Sequence, residues 1–392
     1  MKKFSKNPNK FQKKFKQARI FVGLSGGVDS SVSAALLKKQ GFHVTGVFIK
    51  AWYPDFMPCN WREERRDAMR VAAKLDIPFI TLDLEKDYKK SVVDYMLNEY
   101  KTGRTPNPDV MCNKEIKFGS FLKWAIKSPP AGGGADYVAT GHYSQIIEHR
   151  TSKSKKKNVP CFMLHVSRDF NKDQSYFLWT LKQEQLKHIL FPVGNLTKTE
   201  VRKLAKKFGL PTSDKKDSQG LCFIGKIDFK EFLAHYIKPK RGNVLDISGK
   251  RIGYHDGAMF LTIGQRHGFN ISNKKDNSKP LYIVKKNIKK NEIVVYQKDP
   301  EMEGKVGTTK AVLSDVNWVS DAPKENKIYK VRTRYRQKLI PARIYKLKNP
   351  STGSGQVWYV EFNKAILDIS PGQSLVVYDK FECVGGGLLN NF

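Results

Sequence analysis

Long apolar runs are absent from this 392-residue chain: none approaches the roughly 18 residues that cross a bilayer, so no membrane partner is expected. Cysteine is scarce: the chain has five cysteines, an odd number, and they are scattered along it. This argues against a disulfide scaffold and predicts a reducing, cytoplasmic location. The cysteines contain no Cys-x-x-Cys pair, so neither an iron–sulfur cluster nor a zinc site is expected.

Acidic residues are also few, since 37 Asp and Glu stand against 71 Lys and Arg and leave a formal net charge of +34. Such an excess favours a polyanionic partner, because each neutralised phosphate releases counterions. Lysine is spread over the whole chain, so compositional bias is the alternative explanation. Residues 1–18 form a basic arm without the apolar core of a secretion signal, and a mitochondrial presequence is its alternative interpretation.

The apolar pattern divides the rest of the chain into three domains. Over 19–225, β-rich runs alternate with helical ones, which predicts an α/β domain with a parallel sheet covered by helices on both faces. Its predicted strands are 20–24, 44–49, 79–82 and 137–139, and its predicted helices are 31–39, 63–75, 88–101, 114–126 and 199–207. Residues 226–304 form a small central domain with one helix, 229–236, among turns and strands. Two inserts, 129–134 and 151–158, are predicted to be surface loops.

Residues 305–392 lose the helical period and predict a small antiparallel β-barrel, with strands at 327–336, 342–346, 356–362 and 374–378. Strict alternation over the first of these strands would place four cations on one face: Lys330, Arg332, Arg334 and Arg336. Such a row could follow a phosphate backbone, and a solvated polar face is the alternative.

A glycine-rich turn follows the first predicted strand, where residues 23–30 read GLSGGVDS. Glycines let the backbone approach an oxyanion closely, and the start of the next helix supplies free N–H groups and a positive dipole end. No Lys-Ser/Thr pair follows, so the ordinary P-loop is excluded. Asp29 would repel bare phosphate, so we expect it to hold Mg²⁺ or to brace the turn.

Two cysteines lie beside turns. Cys112 follows the turn 107–109 and precedes a predicted helix that Asn113 could cap, a position that lowers the pKa of a thiol. Cys222 lies in the glycine-bounded loop 220–225. Each cysteine taken alone is equally consistent with a buried structural residue.

Taken together, the turn and the two cysteines resemble the bacterial-type tRNA-specific 2-thiouridylases of the PP-loop ATP pyrophosphatase superfamily. The resemblance covers nearly the whole chain from Arg19 onward and includes ATGHYSQ (139–145), NKDQSYFLWTL (171–181), FPVGNLTKTEVRKLA (191–205), LTIGQRHG (261–268), RTRYRQ (332–337) and SPGQS (370–374). It implies a PP-loop domain of the adenine nucleotide alpha hydrolase-like fold, a small central domain and a C-terminal β-barrel that binds tRNA.

The resemblance also implies an activity, the 2-thiolation of the wobble uridine in Lys, Glu and Gln tRNAs. ATP, with Mg²⁺, would adenylate the C2 oxygen and release pyrophosphate, and a persulfide would then deliver sulfur as AMP departs. The implied partners are tRNA and a sulfur-donor protein, which is either a persulfide relay protein or a cysteine desulfurase.

The resemblance assigns roles by position. Cys222 would carry the persulfide, and Cys112 would be the nucleophile that resolves it, leaving a transient Cys112–Cys222 disulfide. Direct attack of the persulfide on the base is the alternative route. Asp109 would be the general acid/base, and the target base would meet Asn107, Pro108 and Asp109.

Two larger sets of positions are implied in the same way. The ATP-binding set is Gly23, Leu24, Ser25, Gly26, Gly27, Val28, Asp29, Ser30, Ile49 and Gly141. The family usually has Met at the position of Ile49. A main-chain contact to ATP would tolerate this difference better than a side-chain contact to adenine. The tRNA-contacting set is His142, Lys172, Asp173, Gln174, Arg334, Tyr335 and Gln373.

Three other interpretations remain at the level of sequence: a different PP-loop tRNA enzyme, a small-molecule ligase and a non-catalytic RNA-binding protein. A lysidine synthetase would not need the two cysteines, and a 2-thiocytidine synthetase would need paired Cys-x-x-Cys motifs. Small-molecule ligation of the argininosuccinate synthetase kind gives no reason for a basic barrel. A non-catalytic RNA-binding protein would not need an intact glycine-rich turn.

Overall fold

A computed structural model describes residues 17–57, 61–127, 134–150, 160–217, 222, 229–272, 279–297, 307–348, 356–367 and 369–390. The chain divides into two compact units, Met1–Ser91 with Met111–Lys226, and Val92–Val110 with Ile227–Phe392. Most of the basic arm, the insert 151–158, all but the last residue of the insert 129–134, and Cys59 lie outside the described residues.

The first unit is built on a parallel sheet, as the alternation of apolar patterns predicts. Its described strands are β1 (Arg19–Gly23), β2 (His43–Lys50), β3 (Phe79–Asp83), β4 (Tyr137–Ala139), β5 (Ser144–Arg150), β6 (Pro160–Val166) and β7 (Ile189–Leu190). The sheet order is β3-β2-β1-β4-β7 with every neighbouring pair parallel, which confirms the predicted α/β fold class. Strands β5 and β6 form an antiparallel hairpin that the sequence analysis did not predict.

Helices cover this sheet, and their bounds are Val28–Lys39, Trp61–Lys74, Glu85–Tyr88, Leu122–Lys127, Gln183–Leu186 and Lys198–Lys207. The helix after β1 is the most deeply packed. Its Ala34 and Leu37 lie in one apolar cluster with Ile20 and Val22 of β1. Its Val28, Val32 and Ala35 lie in a second cluster, which also contains the helix Lys198–Lys207. Burial on two sides fixes the start of this helix, where the glycine-rich turn lies.

Two predicted helices differ from the observed ones. The predicted helix 88–101 consists of the end of Glu85–Tyr88, a π-helical stretch Lys89–Asp94 and the helix Tyr95–Lys101. The predicted helix 114–126 begins earlier, at Pro108, and runs through Pro108–Met111, a π-helical stretch Cys112–Phe121 and Leu122–Lys127. Apolar periodicity does not distinguish a π-helical insertion from regular α-helix, because one extra residue per turn shifts the apolar face only locally.

The second unit contains the helix Phe229–Tyr236, at its predicted bounds, and a small mixed sheet. Its described central strands are β8 (Gly242–Leu245), β9 (Arg251–His255), β10 (Phe269–Ile271), β11 (Leu281–Asn287) and β12 (Glu292–Gln297), in the order β10-β9-β8-β12-β11. Only the pairing of β8 with β12 is parallel among the described pairs of this sheet.

An antiparallel barrel follows, which confirms the predicted C-terminal architecture. Its strands are β13 (Thr308–Trp318), β14 (Ile328–Arg332), β15 (Ile340–Lys348), β16 (Gln356–Ile366), β17 (Ser374–Asp379) and β18 (Glu382–Asn390). They pair in the order β13-β16-β15-β14-β17-β18, and pairing of β13 with β18 closes the ring. Alternate residues such as Val331, Ile344, Val360 and Leu375 fill its core.

The prediction that the strand 327–336 carries a row of four cations on one face is wrong. Strand β14 ends at Arg332, and the chain then turns. Gln337 Oε1 accepts hydrogen bonds from the backbone N–H groups of Thr333 (2.8 Å) and Arg334 (3.2 Å), and Arg336 has a φ of 63°. A left-handed residue breaks the two-residue period, so Arg334 and Arg336 do not continue the face of Lys330 and Arg332.

Candidate active site

The glycine-rich turn lies at the carboxyl end of β1, and its shape depends on glycine. Gly26 has a φ of 71°, and a Cβ at that position would lie 2.5 Å from the carbonyl oxygen of Glu64. Gly27 is the N-cap of the helix Val28–Lys39. The apolar pattern predicts a helix start at residue 31, but the helix begins at Val28. The first N–H groups of a helix have no intrahelical acceptor, so this turn presents donors for an anion.

Serine hydroxyls hold the turn in shape. Ser30 and Ser31 both donate to the carbonyl oxygen of Gly27, at 3.1 Å and 2.7 Å, and the N–H of Ser25 donates to Ser30 Oγ at 3.3 Å. Ser25 Oγ and Ser30 Oγ are also 3.3 Å apart. The turn is therefore organised by its own side chains, which reduces the entropy that a bound phosphate would otherwise have to offset.

Gly141 lies against this helix start. A Cβ on Gly141 would come within 2.6 Å of the backbone nitrogen of Ser30 and 2.7 Å of the carbonyl carbon of Asp29. Ile49 is a buried residue near the carboxyl end of β2, the strand that pairs with β1. Ligands of open parallel sheets bind at this edge. The structure thus brings Gly141 to the turn and puts Ile49 on the adjacent strand.

Asp29 is neutralised within the protein. Its Oδ1 accepts hydrogen bonds from Tyr143 Oη and Lys198 Nζ, both at 2.7 Å, and Lys198 Nζ is 2.9 Å from Oδ2. Burial, followed by the negative charge of Asp29, raises the pKa of Tyr143, so the phenol stays protonated and donates. Sequence reasoning missed Tyr143 and Lys198, although both lie within motifs quoted for the resemblance.

A second carboxylate, Asp217, shares the same lysine. Lys198 Nζ lies 2.9 Å from Asp217 Oδ1, Arg202 Nη2 lies 2.6 Å from that oxygen, and Lys172 Nζ lies 2.5 Å from Oδ2. Burial alone would raise the pKa of Asp217, but the hydrogen bonds and charges of Lys172 and Lys198 hold it far below its usual range. Asp217 was not a predicted site residue, because no local pattern marks it.

The other predicted tRNA-contacting residues of the first unit are largely buried. His142 is 7% exposed, and its Nδ1 lies 2.7 Å from Thr140 Oγ1. Burial, helped by the charge of Lys117, lowers the pKa of His142 well below its usual range, so the ring is neutral. Asp173 accepts from the N–H groups of Ser167 (3.0 Å) and Ser175 (3.3 Å).

Gln174 forms two hydrogen bonds with Tyr143, the residue after His142. The side-chain Oε1 of Gln174 accepts from the backbone N–H of Tyr143 at 2.9 Å, and the backbone N–H of Gln174 donates to the carbonyl oxygen of Tyr143 at 2.8 Å. These contacts make Gln174 a support for Tyr143 and hence for Asp29. Lys172, whose side chain is 31% exposed, is directed to Asp217.

Neither Cys112 nor Cys222 forms a disulfide within the described part of the chain. Cys112 is fully buried at the start of the π-helical stretch, and Cys222 is partly exposed, with its carbonyl oxygen accepting from Tyr88 Oη at 2.7 Å. The prediction that Asn113 caps a helix directly after Cys112 is wrong, since its side-chain amide donates to the carbonyl oxygen of Phe177 at 3.2 Å.

The cap lies further upstream. Asn107 Oδ1 accepts from the N–H of Val110 at 3.2 Å, and Pro108 takes the first helical position, where its missing N–H is harmless. Cys112 consequently follows a turn of helix instead of preceding one, and the helix-terminus argument for its reactivity does not apply. Asn107, Pro108 and Asp109 remain adjacent in one capping turn.

In the second unit, the segment leading to this turn is bound by the barrel. The N–H of Thr105 donates to the carbonyl oxygen of Pro371 at 2.8 Å, and Gln373 Nε2 donates to the carbonyl oxygen of Thr105 at 3.2 Å. A Cβ on Gly372 would lie 3.0 Å from the backbone nitrogen of Thr105 and 3.0 Å from its carbonyl oxygen. Gln373, a predicted tRNA contact, therefore also positions the segment that precedes Asn107.

A turn of the central domain, at Thr262 and Ile263, joins the same cluster. Arg334 Nη2 and Ser370 Oγ both donate to the carbonyl oxygen of Ile263, the latter at 3.3 Å, and Thr105 Oγ1 lies 3.4 Å from Thr262 Oγ1. Tyr335 is partly exposed, and the guanidinium of Arg336 lies 5.1 Å from the centre of its ring. Three of the motifs quoted from the sequence thus meet beside Thr105.

Among the described ranges, no group of three His, Cys, Asp or Glu side chains could hold a metal ion. No helix within those ranges is both long and apolar enough to cross a bilayer.

Comparison with known proteins covers almost the whole chain. Residues 18–226 match the tRNA methyl transferase HUP domain, 230–297 the tRNA methyl transferase PRC-barrel domain, and 308–389 the aminomethyltransferase beta-barrel domain. The tRNA-specific 2-thiouridylase MnmA of Geobacillus thermodenitrificans is 44% identical over 378 residues, 95% of each chain. That of Lacticaseibacillus paracasei is 42% identical over 379 residues, which is 95% of this chain and 94% of the relative.

The chain belongs to the tRNA-specific 2-thiouridylase family. Membership confirms the resemblance inferred from the sequence motifs, and this PP-loop family implies the use of ATP. The other interpretations, a lysidine synthetase, a 2-thiocytidine synthetase and an argininosuccinate-type ligase, are set aside by this similarity along the full chain.

Proposed function

We propose that this 2-thiouridylase converts the wobble uridine of Lys, Glu and Gln tRNAs to 2-thiouridine, with consumption of ATP. The observation that carries the proposal is the preorganised turn at the end of β1, in a chain that has cysteine thiols at positions 112 and 222. The loop offers N–H donors and serine hydroxyls to the β- and γ-phosphates, which leave as pyrophosphate.

Mg²⁺ suits the chemistry of this loop, because a carboxylate beside phosphates is an oxygen ligand of the kind that Mg²⁺ prefers. Asp29 would supply the carboxylate oxygen to the ion, in exchange for part of its present contact with Lys198. When bound, the ion would offset the negative charge that accumulates on the departing pyrophosphate. The protein's own share is to fix the shape of the loop through the hydroxyls of Ser30 and Ser31.

The proposed chemistry has two parts. First, the C2 oxygen of the uridine attacks the α-phosphorus, the bond from that phosphorus to the bridging oxygen breaks, and pyrophosphate leaves. Asp109 would move the proton at the base, which Asn107 and Pro108 help to place. The C2 oxygen then departs as part of AMP when sulfur attacks C2, because a phosphate ester is a far better leaving group than oxide.

Sulfur delivery would use both cysteines. A donor protein with a persulfide loads Cys222, and the thiolate of Cys112 attacks Sγ of the Cys222 persulfide. The terminal sulfur leaves as hydrosulfide and attacks C2, and a Cys112–Cys222 disulfide remains for reduction by a cellular thiol. Direct attack of the persulfide on C2 is the alternative, and it places no disulfide in the cycle. Because Cys112 is fully buried, the first route requires a rearrangement around it.

Substitution of the cysteines tests the proposal. Cys222→Ser should bind ATP and tRNA but accept no labelled sulfur, because serine cannot form the S–S bond. Cys112→Ser should accept sulfur on Cys222 and stall before transfer. Cys161→Ser and Cys383→Ser are the matched controls, and Cys59→Ser joins them; all three should keep activity.

Mass spectrometry of tRNA provides the readout in cells. A deletion strain should lose 2-thiouridine, and the wild-type chain should restore it, whereas the Cys222→Ser chain should not. Unchanged 2-thiouridine in the deletion strain would refute the proposal. Formation of ADP in place of AMP would refute the assignment of the loop, and label on Cys112 of Cys222→Ser would reverse the roles of the two thiols.

A further inference from the structure

Tyr88 makes a direct contact with the backbone of the cysteine that would carry the persulfide. Its Oη donates to the carbonyl oxygen of Cys222 at 2.7 Å. Tyr88 is 1% exposed, whereas Cys222 is partly exposed, so the hydroxyl reaches from the core to a residue near the surface. A bond to this carbonyl oxygen restricts the backbone of Cys222, and with it the positions that the sulfur atom can take.

The helix that ends at this tyrosine, Glu85–Tyr88, is fixed at the carboxyl edge of the parallel sheet. The N–H of Leu84, its N-cap, donates to the carbonyl oxygen of Lys50, the last residue of β2, at 2.9 Å. Lys50 Nζ also lies 2.5 Å from Oε2 of Glu85. Because the sheet edge holds this helix by both backbone and side chain, the hydroxyl of Tyr88 is a fixed donor.

The same helix contacts the element that carries the other cysteine. Asp87 Oδ2 accepts a hydrogen bond from Ser120 Oγ at 2.6 Å. Ser120 lies on the π-helical stretch Cys112–Phe121, which begins with the cysteine proposed to resolve the persulfide. Such stretches are frequent at functional sites. One four-residue helix is therefore bonded both to Cys222 and to the stretch of Cys112.

We propose that Tyr88 is a positioning residue for sulfur transfer, which holds the backbone of Cys222 in a fixed place relative to the Cys112 stretch. Attack of the Cys112 thiolate on Sγ of the Cys222 persulfide forms one S–S bond, breaks another and releases hydrosulfide. Such a displacement requires the reacting atoms to be close and aligned, so it depends on the placement of Cys222. The inference rests on the proposed function, because it requires Cys222 to carry the sulfur.

Tyr88→Phe removes the hydroxyl and keeps the buried ring, so it separates loading of sulfur from its transfer. Glutathione persulfide with labelled terminal sulfur loads the protein: the Cys222 thiolate attacks that sulfur, and glutathione leaves as its thiolate. Loading requires only an accessible thiol and should keep the wild-type rate. Transfer of label to tRNA in a single turnover with ATP should slow at least about fivefold, as expected for the loss of one hydrogen bond. Mass spectrometry of the Cys222 peptide and of the tRNA measures the two steps.

Two further variants complete the experiment. Ser120→Ala removes the bond between the Cys112 stretch and the same helix at a partly exposed position, and it should slow transfer while loading is kept. Tyr137→Phe is the matched control: this half-buried tyrosine of β4 packs against His188, with ring centres 6.5 Å apart, and both steps should keep their wild-type rates. Pyrophosphate formation should not change in any of the three variants, since adenylation of the base uses neither cysteine.

The outcomes separate this inference from the proposed function. Unchanged transfer in Tyr88→Phe or in Ser120→Ala would overturn the inference, and Ser120→Ala decides alone if Tyr88→Phe does not fold. Loading or pyrophosphate formation that falls as much as transfer would also overturn it, because the hydroxyl would then support the fold in general. Failure of the wild-type chain to take label on Cys222, or to pass it to tRNA, would instead refute the proposed function.

Discussion

The carboxylate of Asp29 would repel the phosphates that the turn at 23–30 is proposed to bind, and its contacts show how the chain offsets this repulsion. Tyr143 and Lys198 each donate to the carboxylate, so the net charge of the pair is close to zero before any ligand arrives. The sequence allows two roles for Asp29, holding Mg²⁺ or bracing the turn. The observed contacts support bracing directly, because Tyr143 and Lys198 engage both carboxylate oxygens.

Asp29→Asn should reduce formation of AMP and pyrophosphate about 100-fold, as loss of one preorganised charge in a catalytic site commonly does. Its affinity for tRNA should stay within about twofold, because the loop contacts phosphates of ATP in the proposed function. Product analysis and tRNA binding measure the two effects. Asp76→Asn, at an exposed aspartate that pairs with Lys38, is the control. Equal loss of tRNA affinity would contradict the assignment.

His142 is a neutral core residue, packed between the rings of Phe118 and Phe191 with ring centres 5.7 Å away in each case. Burial lowers its pKa in the folded chain, whereas the unfolded chain keeps the ordinary value near 6.5. Below that pH the unfolded state binds a proton that the folded state does not, so stability falls as the pH falls.

Between pH 6.5 and 5, His142 should therefore contribute a loss of up to about 1.4 kcal/mol in the free energy of unfolding per pH unit. His142→Phe should make the pH dependence shallower by that amount, and His255, whose pKa burial also lowers, should keep a remaining slope. Urea unfolding at several pH values provides the measurement. Identical slopes for the two proteins would show that His142 is protonated in the folded state.

At the scale of elements, the helix Val28–Lys39 connects the core to the site. Apolar residues on two of its sides are buried, and three buried serines hydrogen-bond its first turns. Because the helix cannot shift without disrupting both clusters, its N-terminal donors are fixed in place. Gly141 completes this arrangement, since only a residue without a Cβ lets the β4 end approach so closely.

Gly141→Ala should weaken ATP binding at least about tenfold, because its Cβ would come within 2.6 Å of the Ser30 nitrogen, and backbone on both sides must move. Gly41→Ala is the matched control. A Cβ on Gly41 would have no atom within 4 Å, although alanine at a φ of 87° costs some stability. Calorimetric titration with α,β-methylene-ATP, which cannot be cleaved between the α- and β-phosphates, measures the affinities. Equal affinities of Gly141→Ala and the wild type would show that the loop adapts.

For the whole molecule, the formal charge of +34 predicts strongly salt-dependent binding of tRNA. The barrel does not present the expected row of four cations, so we expect the electrostatic contribution to tRNA binding to come from a more dispersed set of Lys and Arg side chains. Arg334 illustrates this: it lies in a turn after β14 and donates to the carbonyl oxygen of Ile263. A guanidinium has five N–H donors, so this bond is compatible with a phosphate contact.

Arg334→Ala should weaken tRNA binding and lower the slope of log affinity against log salt by about one unit, as expected for one lost phosphate contact. Lys338→Ala, at an exposed lysine in the same turn region, provides a comparison for loss of a cation. Binding measured from low to moderate salt gives the slopes. A lower turnover with an unchanged slope would assign Arg334 to holding the Ile263 turn alone.

The sequence by itself determined the features that depend on neighbours in the chain. Apolar alternation identified the parallel sheet and the barrel, and the turn at 23–30 was placed correctly between β1 and its helix, because strand, glycine and cap signals are local. The motifs were also long enough to identify the family. Local signals were weaker where the backbone departs from a regular period, as at the π-helical stretches and after Arg332.

Only the tertiary structure decided which distant side chains meet. Lys198 is 169 positions from Asp29, and Gln373 is 268 positions from Thr105. No periodicity links such pairs, because their contacts arise from the folding of whole elements against each other. The burial of His142 and Asp173 follows from the same cause, since a polar residue's exposure depends on what packs over it and not on its neighbours in sequence.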